Sequence, residues 1–170
     1  MQQNKITLVR PNAGHRDAAL RFRQSFFDAG EKIIDGSERL DLLDSFEDWL
    51  VFVTKNAQGE NDILTDTYFA VDPSGKIVGI IDFRHALNEF FKDFGHCGYS
   101  VAPEERKKGY ATEMLGRIVR QAREDGLAKL QLAALQSNIP SVRTIEKNGG
   151  RRVRNFDFYG QTADVFEITL

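Results

Sequence analysis

Residues 99–122 read Tyr-Ser-Val-Ala-Pro-Glu-Glu-Arg-Lys-Lys-Gly-Tyr-Ala-Thr-Glu-Met-Leu-Gly-Arg-Ile-Val-Arg-Gln-Ala. This stretch predicts a strand, then a basic turn that contains glycine, then an amphipathic helix. The helix is predicted because its apolar residues recur with the spacing of one helical face. These residues are Ala111, Met114, Leu115, Ile118, Val119 and Ala122. The remaining faces carry mostly polar and charged side chains, so one side of the helix should pack against the rest of the protein.

The basic turn in front of this helix is suited to bind an anion. The first N–H groups of a helix have no intrahelical partner and lie at the positive end of its dipole. Gly109 lets the backbone turn tightly and an anion approach closely, and Arg106, Lys107 and Lys108 add positive charge. We therefore predict that the N–H groups from Lys107 to Thr112 hold a phosphate or pyrophosphate. The alternative is a solvated basic turn, because neither of the two common glycine-rich phosphate motifs occurs here.

Two blocks of the sequence resemble a known family. The pattern Val101-x-Pro103-x-x-Arg106-x-x-Gly109-x-Ala111 is similar to the acyl-CoA-binding signature of the GNAT superfamily of N-acyltransferases. The later block from Asn138 to Gly149 resembles the family's Asn-x-x-Ala…Tyr-Glu-Lys-x-Gly helix. The order of the predicted elements also fits this family, so the resemblance extends over the whole length.

Length, charge and cysteine content limit the class of protein. A chain of 170 residues is typical of a single domain, which we place at 1–170. The net charge of −2 argues against nucleic-acid binding, and no apolar run is long enough to cross a membrane. The sole cysteine, Cys97, fits a reducing, cytoplasmic setting. No Cys/His cluster has metal-ligand spacing, so no metal is expected.

Hydrophobic spacing and turn residues predict the other elements. The predicted helices are 15–29, 37–56, the helix that opens at Gly109, and 138–148. The predicted strands are 5–10, 67–71, 76–84, 96–101, 129–135, 151–157 and 163–170.

The resemblance implies an α/β (α+β) fold with a GNAT-like sheet. This sheet is mixed, mostly antiparallel and seven-stranded, and about four helices flank it. A splayed pair of parallel strands lies at its centre, which the resemblance puts between 96–101 and 129–135. Backbone groups at such a splay have no strand partner, so an extended cofactor arm can bond to them.

The resemblance also implies acetyl-CoA as acyl donor and a set of residues that bind it. The pyrophosphate would lie on the N–H groups of 107–112, and the pantetheine arm would pair with 99–101. Asn138 would reach the cofactor from the start of its helix. The predicted cofactor-binding residues are Tyr99, Ser100, Val101, Arg106, Lys107, Lys108, Gly109, Tyr110, Ala111, Thr112, Asn138 and Ser141.

The reaction implied is direct attack of an amine on the thioester, which requires a base because an alkylammonium has a pKa of about 10. His96 is the first candidate for this base, since it begins the cofactor strand, and Glu89 and His85 follow. The N–H of Val101 is a candidate donor to the oxyanion.

The acid that protonates the leaving thiolate is a point of departure from the family. Many relatives carry a tyrosine where this sequence has Ile145, which has no proton to donate. Tyr99, Tyr110 and Tyr159 are the candidates instead. Otherwise the thiolate leaves without an acid, since a thiol has a pKa of about 8.5. The predicted catalytic set is His96, Glu89 and Tyr99.

The sequence is compatible with two functions. The first is an N-acetyltransferase that acts on a primary amine of a small molecule, amino acid or peptide, as a monomer or homodimer. The alternative is a non-catalytic CoA-binding sensor or interaction module. The acidic segment 31–48 either is a solvated surface or borders an acceptor site that attracts a cationic amine. The aromatic loop 85–95 either covers a site or extends the core.

Overall fold

The computed structural model describes residues 5–170. Its helices are α1 (Arg16–Asp28), α2 (Phe46–Ala57), α3 (Tyr110–Glu124) and α4 (Ile139–Lys147). Its strands are β1 (Thr7–Val9), β2 (Thr65–Val71), β3 (Ile77–Arg84), β4 (Tyr99–Val101), β5 (Lys129–Leu135), β6 (Arg151–Phe158) and β7 (Gln161–Thr169). Short 3₁₀ turns at Ala13–His15 and Pro103–Glu105 precede α1 and α3. The order of helices and strands is the one that the sequence predicts.

The strands form two antiparallel sheets. The first has four strands in the order β1-β2-β3-β4, and the second has three in the order β5-β7-β6. β4 and β5 are therefore the facing edges of the two sheets. One isolated bridge of the antiparallel type joins these edges, from Gly95 in the preceding loop to Leu132 in β5. Beyond this bridge no ladder joins β4 to β5 in the part of the chain that the structure describes.

Two hydrophobic clusters cover the two faces of the first sheet. One contains α3, α4 and the inner face of the second sheet, with Met114, Leu115, Ile118 and Ile145 fully buried. The other packs α1 and α2 on β2 and β3, around Trp49. Successive side chains of a strand point to opposite faces. In the residues that lead into and form β4, Cys97, Tyr99 and Val101 therefore face α3, and Ser100 faces the segment between α1 and α2.

The predicted helix 37–56 is wrong over its first part. Residues 37–45 form turns, in which Glu38 and Arg39 have left-handed φ angles of 49° and 74°. Helix α2 begins only at Phe46, because the Ser45 side chain accepts the Asp48 N–H at 3.1 Å and caps the helix. The acidic segment is thus largely a loop, whose folding brings some of its carboxylates against the sheet.

The predicted strand 96–101 is also shorter in the structure, where it spans Tyr99–Val101. The N–H of Gly98 bonds to the Asp82 side chain at 2.5 Å instead of to a strand partner. The backbone of Gly36 packs directly on Gly98, so closely that a Cβ on Gly36 would lie 2.2 Å from the Gly98 carbonyl oxygen.

Two further predictions concern the bounds of the domain and the absence of a membrane-spanning segment. The first four residues of the predicted domain 1–170 lie outside the described residues. Within 5–170, the helices are all too short or too polar to cross a membrane.

Candidate functional site

The amino end of α3 presents unoccupied backbone donors. Gly109 precedes the helix with φ 87°, and no side chain among the described residues caps the helix. The N–H groups from Lys107 to Thr112 have no acceptor within 5–170. Lys107 also has a left-handed φ of 65°, so the turn is wound tightly around these amides. This arrangement has the donors that a phosphate group requires.

Two cations of the basic turn, Lys108 and Arg106, form ion pairs with nearby glutamates. Lys108 pairs with Glu105 at 2.6 Å. Lys5 donates to the Lys108 carbonyl at 3.0 Å and adds a further charge beside Gly109. Arg106 is held by Glu31 through two bonds of 2.6 and 2.7 Å. The predicted phosphate contact of Arg106 would therefore require this pair to open.

The edge of β4 has backbone groups that face the gap between the sheets. The Gly98 carbonyl accepts the N–H of Asp82, and the N–H of Ala102 bonds to the carbonyl of Val78. Because bonding alternates along an antiparallel strand, Tyr99 and Val101 point their N–H and C=O groups away from β3. The Val101 carbonyl accepts from Arg106 at 3.2 Å. An extended ligand would find the remaining groups of this edge available.

Tyr99 connects β4 to the start of α4. Its hydroxyl lies 3.0 Å from the Ser141 hydroxyl, across the gap. Asn138 caps α4 by accepting the Ser141 N–H at 3.3 Å, and it is exposed. Burial raises the pKa of Tyr99 to about 12, so its hydroxyl keeps its proton at neutral pH. Asn138 and Ser141, which were both predicted to bind the cofactor, therefore lie close to Tyr99, a third predicted cofactor residue.

Ile145 lies one turn after Ser141 on α4 and is fully buried in the core. Ile145 has no proton to donate, and the Tyr99 hydroxyl bonds to Ser141, which lies one turn earlier on the same helix. Tyr159, another candidate acid, is 91% exposed in the turn between β6 and β7. Tyr110 is the first residue of α3 and is half-buried.

His96 joins the two sheets. Its backbone N–H bonds to the Gln131 carbonyl at 2.7 Å, and its Nδ1 accepts the Gln131 N–H at 2.9 Å. With Nδ1 engaged as an acceptor, the neutral ring carries its proton on Nε2. Burial lowers the pKa of His96, which favours this neutral form. To act as a base, His96 would have to release the Gln131 N–H.

Glu89 and His85, the other candidate bases, are engaged elsewhere. Glu89 is 87% exposed and pairs with Lys92. His85 bonds through Nε2 to Asp66 at 2.8 Å.

The aromatic loop 85–95 packs on the hairpin β6–β7. Phe94 contacts Phe156 and Phe158 with ring centroids 6.0 and 5.9 Å apart. Arg154 of β6 bonds to Asp93 at 2.6 Å. Of the two interpretations of this loop, these contacts support an extension of the core over the second sheet.

The structure adds a pair of carboxyl groups that sequence reasoning did not single out. Glu38, from the loop between α1 and α2, lies within hydrogen-bonding reach of Asp82 on β3. Asp82 is fully buried, and burial together with Asp82 raises the pKa of Glu38 to about 8. The one sequence signal was an isolated Asp in the apolar run Ile77–Phe83, which indicates a buried charge with a partner.

Cys97 is buried, and burial raises the pKa of its thiol far above the ordinary range. A buried neutral thiol is a poor nucleophile. Direct attack on the thioester is thus favoured over an acyl-enzyme at this cysteine.

Comparisons with known proteins agree with this geometry. The family profile described as "Acetyltransferase (GNAT) domain" matches residues 7–151. A GNAT-family acetyltransferase structure from Bordetella pertussis has a TM-score of 0.71 at 19% identity, with 99% of this chain and 98% of that chain covered. A chimera of the spermidine N-acetyltransferase SpeG from Vibrio cholerae with hSSAT has a TM-score of 0.69 at 17% identity, with 98% and 96% covered.

The microcin self-immunity acetyltransferase MccE, solved with acetyl-CoA and AMP, has a TM-score of 0.73 at 15% identity, with 99% of this chain and 94% of that chain covered. Comparison with curated proteins found no sequence match.

Together, the split sheet and the uncapped helix after β4 agree with the fold of these acetyltransferase structures, which confirms the predicted fold class. The chain belongs to the GNAT acetyltransferase family, whose general reaction is acetyl transfer from acetyl-CoA.

Proposed function

We propose that this protein is an N-acetyltransferase that moves the acetyl group of acetyl-CoA to a primary amine of a small molecule, amino acid or peptide. The observation that carries the proposal is that two sets of unpaired backbone groups follow each other along the chain: the edge of β4 and the amides at the start of α3. The free edge at Tyr99–Val101 is followed closely in the chain by the unpartnered amides, which run from Lys107 to Thr112. An extended thioester arm and its pyrophosphate fit this succession of groups.

The chain's own residues have distinct tasks in this proposal. The amides of 107–112 bind the pyrophosphate, with Lys107, Lys108 and Lys5 supplying charge. The edge of β4 aligns the pantetheine arm. Asn138 and Ser141, at the start of α4, line the opposite side of the gap between the sheets. The N–H of Val101 is aimed at the gap, where it donates to the oxyanion that develops during attack.

Tyr99 is the residue we assign to protonation of the leaving sulfur. Its hydroxyl lies at the helix face on which Ile145 stands, and it is the candidate acid that spans the gap. Its raised pKa means that the hydroxyl keeps its proton in the resting protein, so the proton is available to the sulfur as the bond from carbon to sulfur breaks.

The test is release of free thiol. Purified protein is mixed with acetyl-CoA and a panel of primary amines, and a thiol-reactive chromophore reports CoA, while mass spectrometry detects the acetylated amine. The buried Cys97 is the only cysteine, so the protein adds little background. Thiol release that depends on both amine and protein is the expected result.

The contrary outcome is equally clear. Calorimetric binding of CoA without thiol release for any amine would contradict the enzyme and favour the non-catalytic sensor. Reactions without amine and without protein are the controls, because they measure spontaneous hydrolysis of the thioester.

A further inference from the structure

Glu38 and Asp82 form a carboxyl pair next to β4. Asp82 has no exposed surface, whereas 17% of the Glu38 side chain is exposed. The Oε2 atom of Glu38 accepts from Asn56 on α2 at 3.2 Å. Asp82 is thus shielded from solvent, whereas Glu38 is partly exposed to it.

The charges around this pair do not neutralise it. Arg84 bonds to Asp82 at 2.9 Å but lies 3.8 Å from Glu38. Arg39 of the same loop lies over the Phe52 ring at 5.0 Å and weakly favours the charged form of Glu38. Two carboxyl groups that share one close cation hold a proton between them, since two adjacent charges would repel.

Asp35 and Asp41 add further negative charge on the same side of the sheet. Desolvation and the carboxylates of Asp41 and Asp82 raise the pKa of Asp35. Asp41 accepts the Ile34 N–H at 2.9 Å, so it is fixed within the loop. This side of β4 therefore favours a cation or a proton.

Two buried polar atoms beside the pair lack partners among residues 5–170. Thr67 stands directly opposite Asp82 in the β2–β3 ladder, so the two side chains lie together on the same face. Thr67 is only 2% exposed, and its hydroxyl has no hydrogen-bond partner. The Nε of Arg84 is also buried and has no hydrogen-bond partner. Buried polar groups are usually satisfied, so the surroundings of the pair are incompletely hydrogen-bonded on the Asp82 side.

The pair is fixed against the start of β4. Asp82 accepts the Gly98 N–H at 2.5 Å, one residue before Tyr99. Ser100 donates its hydroxyl to the Asp35 carbonyl at 2.8 Å, and Gly36 packs on Gly98. The loop that carries Glu38 is therefore attached to the strand that we assign to the thioester arm.

We propose that Glu38, paired with Asp82, accepts the proton that the ammonium group of the acceptor must lose before it attacks. This inference rests on the proposed function. It differs from the sequence prediction of His96, whose Nδ1 is occupied by the Gln131 N–H.

The proton and the acetyl group move in sequence. The Glu38 carboxylate takes one proton from R–NH₃⁺ and becomes a carboxylic acid, which leaves the amine lone pair free. The nitrogen forms a bond to the acetyl carbon, and the bond from that carbon to sulfur breaks, with its electron pair going to sulfur. Tyr99 gives its proton to the thiolate, and the second amine proton passes through water in the gap to the Tyr99 phenolate, which restores the hydroxyl. Glu38 then returns its proton to solvent through its exposed edge.

The pH dependence follows from the same groups. At neutral pH Glu38 is largely protonated, because its pKa is about 8. The rate of the wild-type protein should therefore rise as pH increases and level off above about pH 8. The charged groups that face Glu38 are Asp82 and Arg84 on β3 and Arg39 in its own loop.

The first experiment compares rate–pH profiles. Glu38→Gln should lower kcat about 100-fold and remove the rise near pH 8, so that the residual rate follows the free amine up to about pH 10. Asp82→Asn keeps the base but removes the neighbouring charge, so the rise should move to lower pH. Glu60→Gln, an exposed position after α2, should match the wild type. Wild-type kcat and an unchanged profile in Glu38→Gln would overturn the inference.

The second experiment needs no turnover. Carboxyl groups of ¹³C-labelled glutamate are titrated by NMR, and the Glu38 signal is identified by its loss in Glu38→Gln. A midpoint near 8 that falls in Asp82→Asn is expected, and titration of Glu38 in the ordinary range would overturn the proposal. If the wild type releases no thiol with any amine, the proposed function fails, and the role of Glu38 in catalysis fails with it. If thiol is released and Glu38→Gln is unimpaired, only the inference fails.

Discussion

The two sides of β4 have opposite chemistry. On the side of α3 and α4, the strand leads to free backbone donors and to the cations of the basic turn. On the side of the loop between α1 and α2, it lies beside Asp35, Glu38 and Asp82. The first side suits a diphosphate and the second suits a protonated amine. Only the three residues of β4 separate them, so the strand is the place where a donor and an acceptor can meet.

The two sides also differ in how far apart their parts lie in sequence. The anion site is made within 107–112, whereas Glu38 and Asp82 are joined only by folding. A substitution in the first should thus act locally on ligand binding. A substitution in the second should change protonation and the position of a whole loop.

The largest effect on this contrast is expected from Gly109→Glu, which places a negative charge on the cationic side. Affinity for acetyl-CoA should fall about 100-fold, or about 2.7 kcal/mol, as measured by calorimetry. A Cβ at this position meets only Lys5 Nζ, at 3.8 Å, so the fold should survive and circular dichroism should be unchanged.

The matched control for this variant is Gly109→Ala. Because φ is 87°, any side chain here costs roughly 1–2 kcal/mol of backbone strain. Alanine carries that strain without the charge and should weaken binding much less. Equal affinities in the two variants would argue that no anion binds at this turn.

An intermediate effect is expected from Tyr99→Phe, which tests whether the α4 side of the gap supplies the acid. The variant loses the hydroxyl that reaches Ser141, so kcat should fall roughly 10- to 100-fold while KM for acetyl-CoA changes little. Tyr159→Phe and Tyr110→Phe test the rival acids in the same assay. An unaltered kcat in Tyr99→Phe would mean that the thiolate leaves without this acid.

The smallest effect is expected from Glu31→Gln. This variant removes the carboxylate that accepts two hydrogen bonds from Arg106 in the basic turn. An exposed ion pair contributes little, so stability to urea should change by less than about 1 kcal/mol. Acetyl-CoA affinity should rise about threefold if Arg106 is freed to contact phosphate. Arg106→Gln should weaken binding, and a loss of affinity in Glu31→Gln would contradict a phosphate role for Arg106.

The element order and the phosphate turn could be predicted because their signals are local. The stripe from Ala111 to Ala122 fixes α3, and Gly109 marks the helix start. The acidic segment misled the helix prediction, since Leu42 and Leu43 continue an apolar spacing that Ser45 interrupts by capping α2. A side-chain cap and two left-handed residues outweighed that spacing.

The roles of single side chains were harder to predict. His96 is at the expected place, but folding commits its Nδ1 to Gln131 in β5. Its role as a base stays a prediction, as do those of Glu89 and Tyr99. Sequence position alone does not reveal which lone pairs remain free, because long-range backbone contacts consume them.

The sequence by itself determined the family, the succession of helices and strands, and the donors at the start of α3, because each depends on residues close together in the chain. Only the tertiary structure decided that Glu38 meets Asp82 and that Tyr99 reaches α4. These outcomes depend on which distant segments exclude water from one another, and burial is what turns an ordinary carboxyl group into one that keeps its proton near neutral pH.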